Sequence, residues 1–330
     1  MAQIDKPNTQ FNPVIYTGTG SAQSITSLDF QPDLVWVKGR SVAYNHRLYD
    51  SIRGAGTKLS SDTTSAESTD TNEMSAFLSN GFTLGSDAGT NGSGATYASW
   101  NWLGGGTAVS NTVGDIASQV SANTDSGFSI VSYTGTGANA TVGHGLTGMT
   151  PKMIIIKNRV SAENWLVYHQ AMGNTSAMKL NLTSAIQTTS AYWNNISPTS
   201  STFSLGVSSE ANTASGNIAY CFAEVKGYSK FGSYTGNGSA DGPFVYTGFK
   251  PAFVMFKSSS NSSTEWPMQD IIRSPFNPVD EMLLANTAGA ETVDSPYTRT
   301  DFLSNGFKLR ATDTWANGSG YTYIYMAFAE

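Results

Sequence analysis

Apolar residues in this chain come in short runs, separated by stretches of Gly, Ser, Thr and Asn. Three runs, "LVWV" from Leu34, "MIII" from Met153 and "FVMF" from Phe253, are continuously apolar and rich in β-branched or aromatic side chains. Each follows a proline (Pro32, Pro151, Pro251) and stops at a lysine (Lys38, Lys157, Lys257). Their length and composition predict strands buried on both faces or standing in a sandwich core. "GFTLG" from Gly81 and "GFKLR" from Gly306 alternate apolar and polar, as half-buried strands do. The "NGSG" tetrapeptides at Asn91 and Asn317 fall between strand candidates. Asn and Gly tolerate positive φ, so they predict hairpin loops. Helical periodicity is scarce. "STDTNEMSAFLSNG" has room for one or two turns stopped by Gly81, and "SAMKLNLTSAIQTTSAYW" fits either state.

The runs recur in a fixed order. "YTGTG" at Tyr16, "YTGTG" at Tyr133 and "YTGNG" at Tyr234 each precede a proline-to-lysine strand by 16 to 18 residues. "GFTLG", "TFSLG" from Thr202 and "GFKLR" follow. Then come the Asn turns at Asn91, Asn212 and Asn317 and the closing strands "TYASWNW", "NIAYCFAE" and "TYIYMAFAE". From the tyrosine to the phenylalanine of the third feature is 66, 70 and 73 residues. The string "FLSNGF" at Phe77 and Phe302 is one element in two copies. A unit of about a hundred residues exceeds the ~20–50 of a solenoid repeat and is domain-sized.

The expected fold is therefore all-β: three tandem antiparallel β-sandwich units of jelly-roll or Ig-like type. Their expected bounds are an N-terminal arm over 1–11, units over 12–108, 125–227 and 228–330, and a linker over 109–124. Val35, Val37, Ile154, Ile156, Val254 and Phe256 are expected in the cores. Trp36, Ile155 and Met255 alternate with them and should face an inter-unit or intersubunit surface. The arm "MAQIDKPNTQFNP" holds two prolines. It is expected to dock on a neighbour, so that removing residues 1–12 leaves the units folded.

Composition narrows the function. Charged residues make up 13% of the chain and aromatics 12%, against a usual charged share of roughly 25%. Net charge is −6 with no basic block, so nucleic-acid binding by phosphate neutralisation is not expected. No secretory stretch opens the chain, and no run reaches the roughly 20 apolar residues of a spanning helix. The expectation is a soluble protein made in a cytoplasm, with no membrane insertion. Cys221 is the one cysteine and sits in an apolar run, as a buried structural thiol does.

No catalytic or metal motif stands out. The Gly turns lack the third glycine of a dinucleotide fingerprint. His46, His144 and His169 have no metal-ligand spacing and are expected to be solvated or locally hydrogen-bonded. Asp87, Glu210 and Asp313 precede the Asn turns and read as turn-forming residues. Lys38, Lys157 and Lys257 are expected to surface their ammonium groups at a strand end. Repetition itself argues against a single active site, so no enzyme, cofactor or metal is expected. Trp100, Trp102, Trp165, Trp193, Trp266 and Trp315 are the candidate binding residues. They could form glycan platforms or an interface, and core or inter-domain packing is favoured.

"YTGTGSAQSI", "FQPDLVWVKGR", "GFSIVSYTGTG", "ENWLVYH" and "AYCFAEVKGYSKFGSYTGNG" resemble a family of uncharacterised structural or tail proteins of marine tailed bacteriophages. The resemblance runs from Phe11 to Glu330 and brings no catalytic or binding residues with it. It implies a virion component: a tail fibre, a tail-associated protein or a capsid-decorating protein. The implied partners are other phage virion proteins, copies of the chain itself with a homotrimer favoured, and host cell-surface carbohydrate. The alternative is a tailspike-type carbohydrate-active enzyme. That needs a carboxylate pair in a groove, and Asp280 and Glu281 should point apart on a strand.

Overall fold

A computed structural model describes residues 4–330. The chain is mostly strand, in antiparallel sheets that form sandwich-like units. In the first unit, Phe11–Thr17 pairs with the closing strand Thr96–Trp102. That strand pairs with Leu34–Gly39, which pairs with Arg47–Asp50. The second unit repeats this order with Phe128–Thr134, Gly216–Ala223, Pro151–Asn158 and Leu166–His169. The third does so with Ser229–Thr235, Thr322–Ala329, Pro251–Ser258 and Pro267–Asp270. The proline-to-lysine runs thus occupy one equivalent strand, hydrogen-bonded on both sides, which is why they read as continuously apolar.

A smaller sheet covers one face of each large one. Its strands are Gln23–Ile25, Gly81–Leu84 and Met74–Leu78 in the first unit and Ala140–Gly143 with Thr202–Leu205 in the second. In the third they are Phe244–Tyr246, Gly306–Leu309 and Thr300–Leu303. "FLSNGF" is a hairpin tip in which Phe77 pairs Phe82 and Phe302 pairs Phe307. Its glycine is required by close approach. A Cβ on Gly81 would stand 1.7 Å from the Ile25 carbonyl oxygen, and one on Gly306 would stand 2.1 Å from that of Val245. The helical turns expected before Gly81 are instead the strand Met74–Leu78, because Met74 and Phe82 join the apolar layer between the sheets. "SAMKLNLTSAIQTTSAYW" splits into the strands Ser176–Lys179 and Gln187–Thr188 and one helical turn, Ser190–Trp193.

The expected linker also differs. Val109–Asn111 and Ser118–Asn123 add two strands to the edge of the second large sheet. Small polar residues mask the alternation there, but Val120 turns inward to the second core.

The two faces of each large sheet serve different cores. Val35 and Val37, Ile154 and Ile156, and Val254 and Phe256 lie in three separate clusters, one under each small sheet. Trp36, Ile155 and Met255 face a fourth cluster to which all three units contribute. At its centre the equivalent residues Trp102, Phe222 and Phe328 form a triangle with ring centroids 5.8–6.2 Å apart. The large sheets thus close around a pseudo-threefold axis within one chain.

The N-terminal segment belongs to this arrangement. Phe11 stacks on Phe328 at 4.8 Å and touches Trp102 at 4.8 Å, and Ile4 packs against the shared core. Pro13 is tolerated because its strand is an edge. Residues 1–3 of the expected arm lie outside the described residues. Its own chain holds the remainder, so no neighbour is needed to order it. Removing residues 1–12 should destabilise the whole protein, by about 3–5 kcal/mol for the loss of the Phe11 ring alone. Thermal unfolding of the truncated chain checks this, and an unchanged midpoint would refute it.

Candidate functional site

Several histidines, tryptophans, lysines and acidic groups converge on the junctions between units, and one geometric rule places three of them. His46, Trp165 and Trp266 open the fourth strand of their respective large sheets. The backbone N–H of each donates to a turn side-chain oxygen, of Asp62, Asn181 and Asn286 respectively, at 2.9–3.1 Å. Each then donates a ring N–H to a carbonyl of another unit. Trp165 Nε1 reaches Ser60 at 2.8 Å, Trp266 Nε1 reaches Lys179 at 3.1 Å, and His46 Nε2 reaches Leu284 at 2.9 Å. Unit two thus leans on unit one, unit three on unit two, and unit one on unit three. Backbone bonds repeat the cycle: Glu67 N–H to Arg159, Ile186 N–H to Ser259 and Glu291 N–H to Arg40, at 2.8–3.1 Å. Head-to-tail contacts that close in this way make a finite ring rather than a filament.

Two junctions carry a buried ion pair. Asp50 pairs with Arg53 at 2.5 Å and accepts the Tyr220 hydroxyl at 2.8 Å from the second unit. Asp270 pairs with Arg273 at 2.7 Å and accepts Trp100 Nε1 at 3.0 Å from the first unit. Trp100 and Tyr220 are equivalent residues. Their counterpart Met326 cannot donate, and there His169 stands in the aspartate position and donates to the Tyr325 carbonyl at 3.1 Å. Burial lowers the His169 pKa to about 4, so the ring is neutral. His46 is neutral for the same reason, and its Nδ1 accepts Trp36 Nε1 at 2.8 Å. His144 is bonded locally, to the Thr199 carbonyl and the Leu146 N–H. The expectation of solvated or local roles therefore fails for His46 and His169, which are buried and bridge units.

The lysines are also corrected. Lys38, Lys157 and Lys257 are fully buried. Their Nζ atoms bond backbone carbonyls, and two of them cross a junction: Lys38 to Ala288 at 3.1 Å and Lys257 to Thr183 at 3.0 Å. Burial lowers their pKa values to about 8, about 8 and about 7. In the unfolded chain a lysine holds its proton to about pH 10.4. Between about pH 7 and 10 the unfolded state therefore binds more protons, and stability rises with pH. Above about pH 10 the buried tyrosines, pushed up by burial, act in the opposite sense. Urea denaturation should show a gain on the order of a few kcal/mol from pH 7 to 9.5. Lys257→Met should flatten part of that rise, and a stability independent of pH in this window would refute the argument.

Five of the six candidate tryptophans cannot serve as glycan platforms, because folding buries them. Trp100, Trp102, Trp165 and Trp266 lie in the shared core, and Trp193 lies in the second unit's own core. Trp315 is half-buried against Tyr297 at 4.8 Å. Cys221 is a buried free thiol whose pKa burial pushes up.

The Asn turns are structural knots. Asn91, Asn212 and Asn317 are buried, and each Oδ1 accepts the N–H that follows the first glycine of the Tyr-Thr-Gly motif, at 2.8–2.9 Å. Each Nδ2 donates back to two carbonyls, one of them in the same motif's loop. The tyrosine hydroxyls of Tyr16, Tyr133 and Tyr234 close the same turn from the other side. The equivalent of Asp87 and Asp313 is Ser208, which caps the turn as Asp87 does; Glu210 instead pairs with Lys179. Among the described residues, Asp70, Glu73 and Asp87 are the acidic group close enough to hold a cation. Arg47 and Lys58 already neutralise Glu73, and Asp70 and Asp87 accept turn N–H groups.

Sequence reasoning missed the junction set, although aligning "HRLYD", "WLVYH" and "WPMQD" puts its members in register. No helix among the described residues is long and apolar enough to cross a membrane. A search of curated proteins finds no match. The family profile described as Domain of unknown function (DUF7483) matches residues 6–330, so that one copy of it spans all three units, and the chain belongs to that family.

Proposed function

We propose that the protein is a non-enzymatic structural component of a bacteriophage particle, exposed on a tail fibre, tail or capsid surface, where it docks on other virion proteins. The observation that carries this reading is the closed ring itself. His46, His169, Lys38, Lys257 and four of the candidate tryptophans are spent on its junctions and shared core, while His144, Lys157, Cys221 and Trp193 are buried within the second unit. What remains is a body with three similar outer faces around one axis, a shape suited to a threefold position on a symmetric scaffold. The sequence resemblance to phage structural proteins points the same way. The homotrimer rests on the resemblance to phage appendage proteins; the aromatic excess lends it little further support, because many of those aromatics are buried inside one chain.

A polysaccharide-cleaving enzyme would need two carboxylates free in a groove. Glu281 and Glu291 both close on the Arg40 guanidinium, at 2.9 and 2.7 Å, and Arg273 takes Glu291 as well. They act as a clamp between the first and third units. The test is to locate the protein in purified virions by cryo-electron microscopy with a specific antibody fragment. Density at a fixed site on the particle is expected. Virions that lack the protein, or release of new reducing ends from host polysaccharide by the purified chain, would overturn the proposal.

A further inference from the structure

Three units built alike act as controls for one another, and they differ most tellingly on the outer sheet of the third. There Phe244 and Tyr246 flank the buried Val245, which pairs with Phe307. In the first unit the same positions beside Ile25, paired with Phe82, are Ser24 and Thr26. In the second, beside Val142 and paired with Phe203, they are Thr141 and Gly143. The fold therefore needs no aromatic at either place. Yet Phe244 is 45% and Tyr246 64% exposed, side by side on an edge strand.

Both rings lie against glycines, of which Gly306 is already required by its approach to the Val245 carbonyl. Phe244 lies over Gly306, where a Cβ would stand 2.9 Å from the ring, and Tyr246 lies beside Gly248. A cleft of about 460 Å³ opens next to Tyr246, lined also by Glu224, Lys226, Ser229, Lys230 and Thr247. Its lining carries two ammonium groups and one carboxylate in a chain of net charge −6, with Lys230 bonded to Glu224 at 2.7 Å. Exposed aromatic faces beside convergent polar groups are the ingredients of a small-ligand site. The C–H face of a sugar ring suits the negative face of an aromatic ring, and its hydroxyls suit the polar rim.

We propose that this face binds an anionic oligosaccharide. Phe244 and Tyr246 stack on its sugar rings, and the lysine side of the cleft meets its carboxylate or sulfate groups. The site is separate from the buried tryptophans and does not depend on the virion reading, because it is measured on the purified protein alone.

The test is an array of uronic-acid-containing, sulfated and neutral oligosaccharides, probed with the full chain and with Phe244→Ser/Tyr246→Thr. The double variant carries the residues of the first unit, so its melting temperature should not change. Retention of acidic members, weakened about tenfold or more in the variant, is expected. No retention of any acidic member, or equal retention by the variant, would overturn the proposal. So would self-association of the wild-type chain that the variant abolishes without any saccharide retention, which would make the patch a contact between copies.

Discussion

Trp102→Ala should melt all three units in a single transition and lower stability by about 3–5 kcal/mol. Trp102 belongs to the first unit, but its ring touches Phe222 of the second and Phe253 and Phe328 of the third. Removing it opens a void at the one place where all three units meet, and close-packed neighbours relax into such a void only in part. Denaturation followed by far-ultraviolet circular dichroism and by tryptophan fluorescence should therefore give coincident curves. Separate transitions, or a loss confined to the first unit, would show that the units fold independently and that the shared core is only a contact.

Asp50→Ala should cost a comparable amount, about 3–5 kcal/mol, by a different route. The Arg53 guanidinium is completely buried, and its other bonds go to the carbonyls of Leu48 and Thr57 and to Tyr220. Without Asp50 its remaining carboxylate is Glu67, 3.9 Å away and already closed on Arg159, so the buried charge is poorly compensated, and Tyr220 loses its acceptor across the junction. Replacing both partners with apolar residues, as in Asp50→Leu/Arg53→Met, should recover most of the loss, because the pair's worth is set largely by desolvation. The third junction already works without such a pair, using His169 and Met326. Urea denaturation of the single and double variants decides the matter, and a single variant within 1 kcal/mol of wild type would refute it.

The repeat was legible in the sequence because its signature residues serve geometry inside each unit. Gly81 and Gly306 allow a backbone crossing, Asn91, Asn212 and Asn317 tie a turn, and Tyr16, Tyr133 and Tyr234 close it. Such roles admit few substitutes, so the letters recur. The junctions were not legible, because what they require is a donor or an acceptor at a place rather than one residue type. Histidine and tryptophan fill the same position at His46 and Trp165, and aspartate and histidine do so at Asp50 and His169. The lysines were misread for a related reason. A lysine at a strand end usually reaches for water, but here other backbone carbonyls stand within reach of each ammonium group. The sequence offers no sign of carbonyls supplied by a segment far along the chain.

Fusing the three units changes what variation can do. In an assembly of three identical chains every mutation is made three times, once around each third of the axis. Here each of the three equivalent positions can change alone, so an aromatic pair can stand at Phe244 and Tyr246 while Ser24 and Thr141 remain small and polar. The outer faces are thus free to diverge while the axis stays packed. One consequence concerns valency. A binding face present once per chain gives one site per chain, so any avidity for a surface must come from copies brought together and not from the threefold plan within the chain.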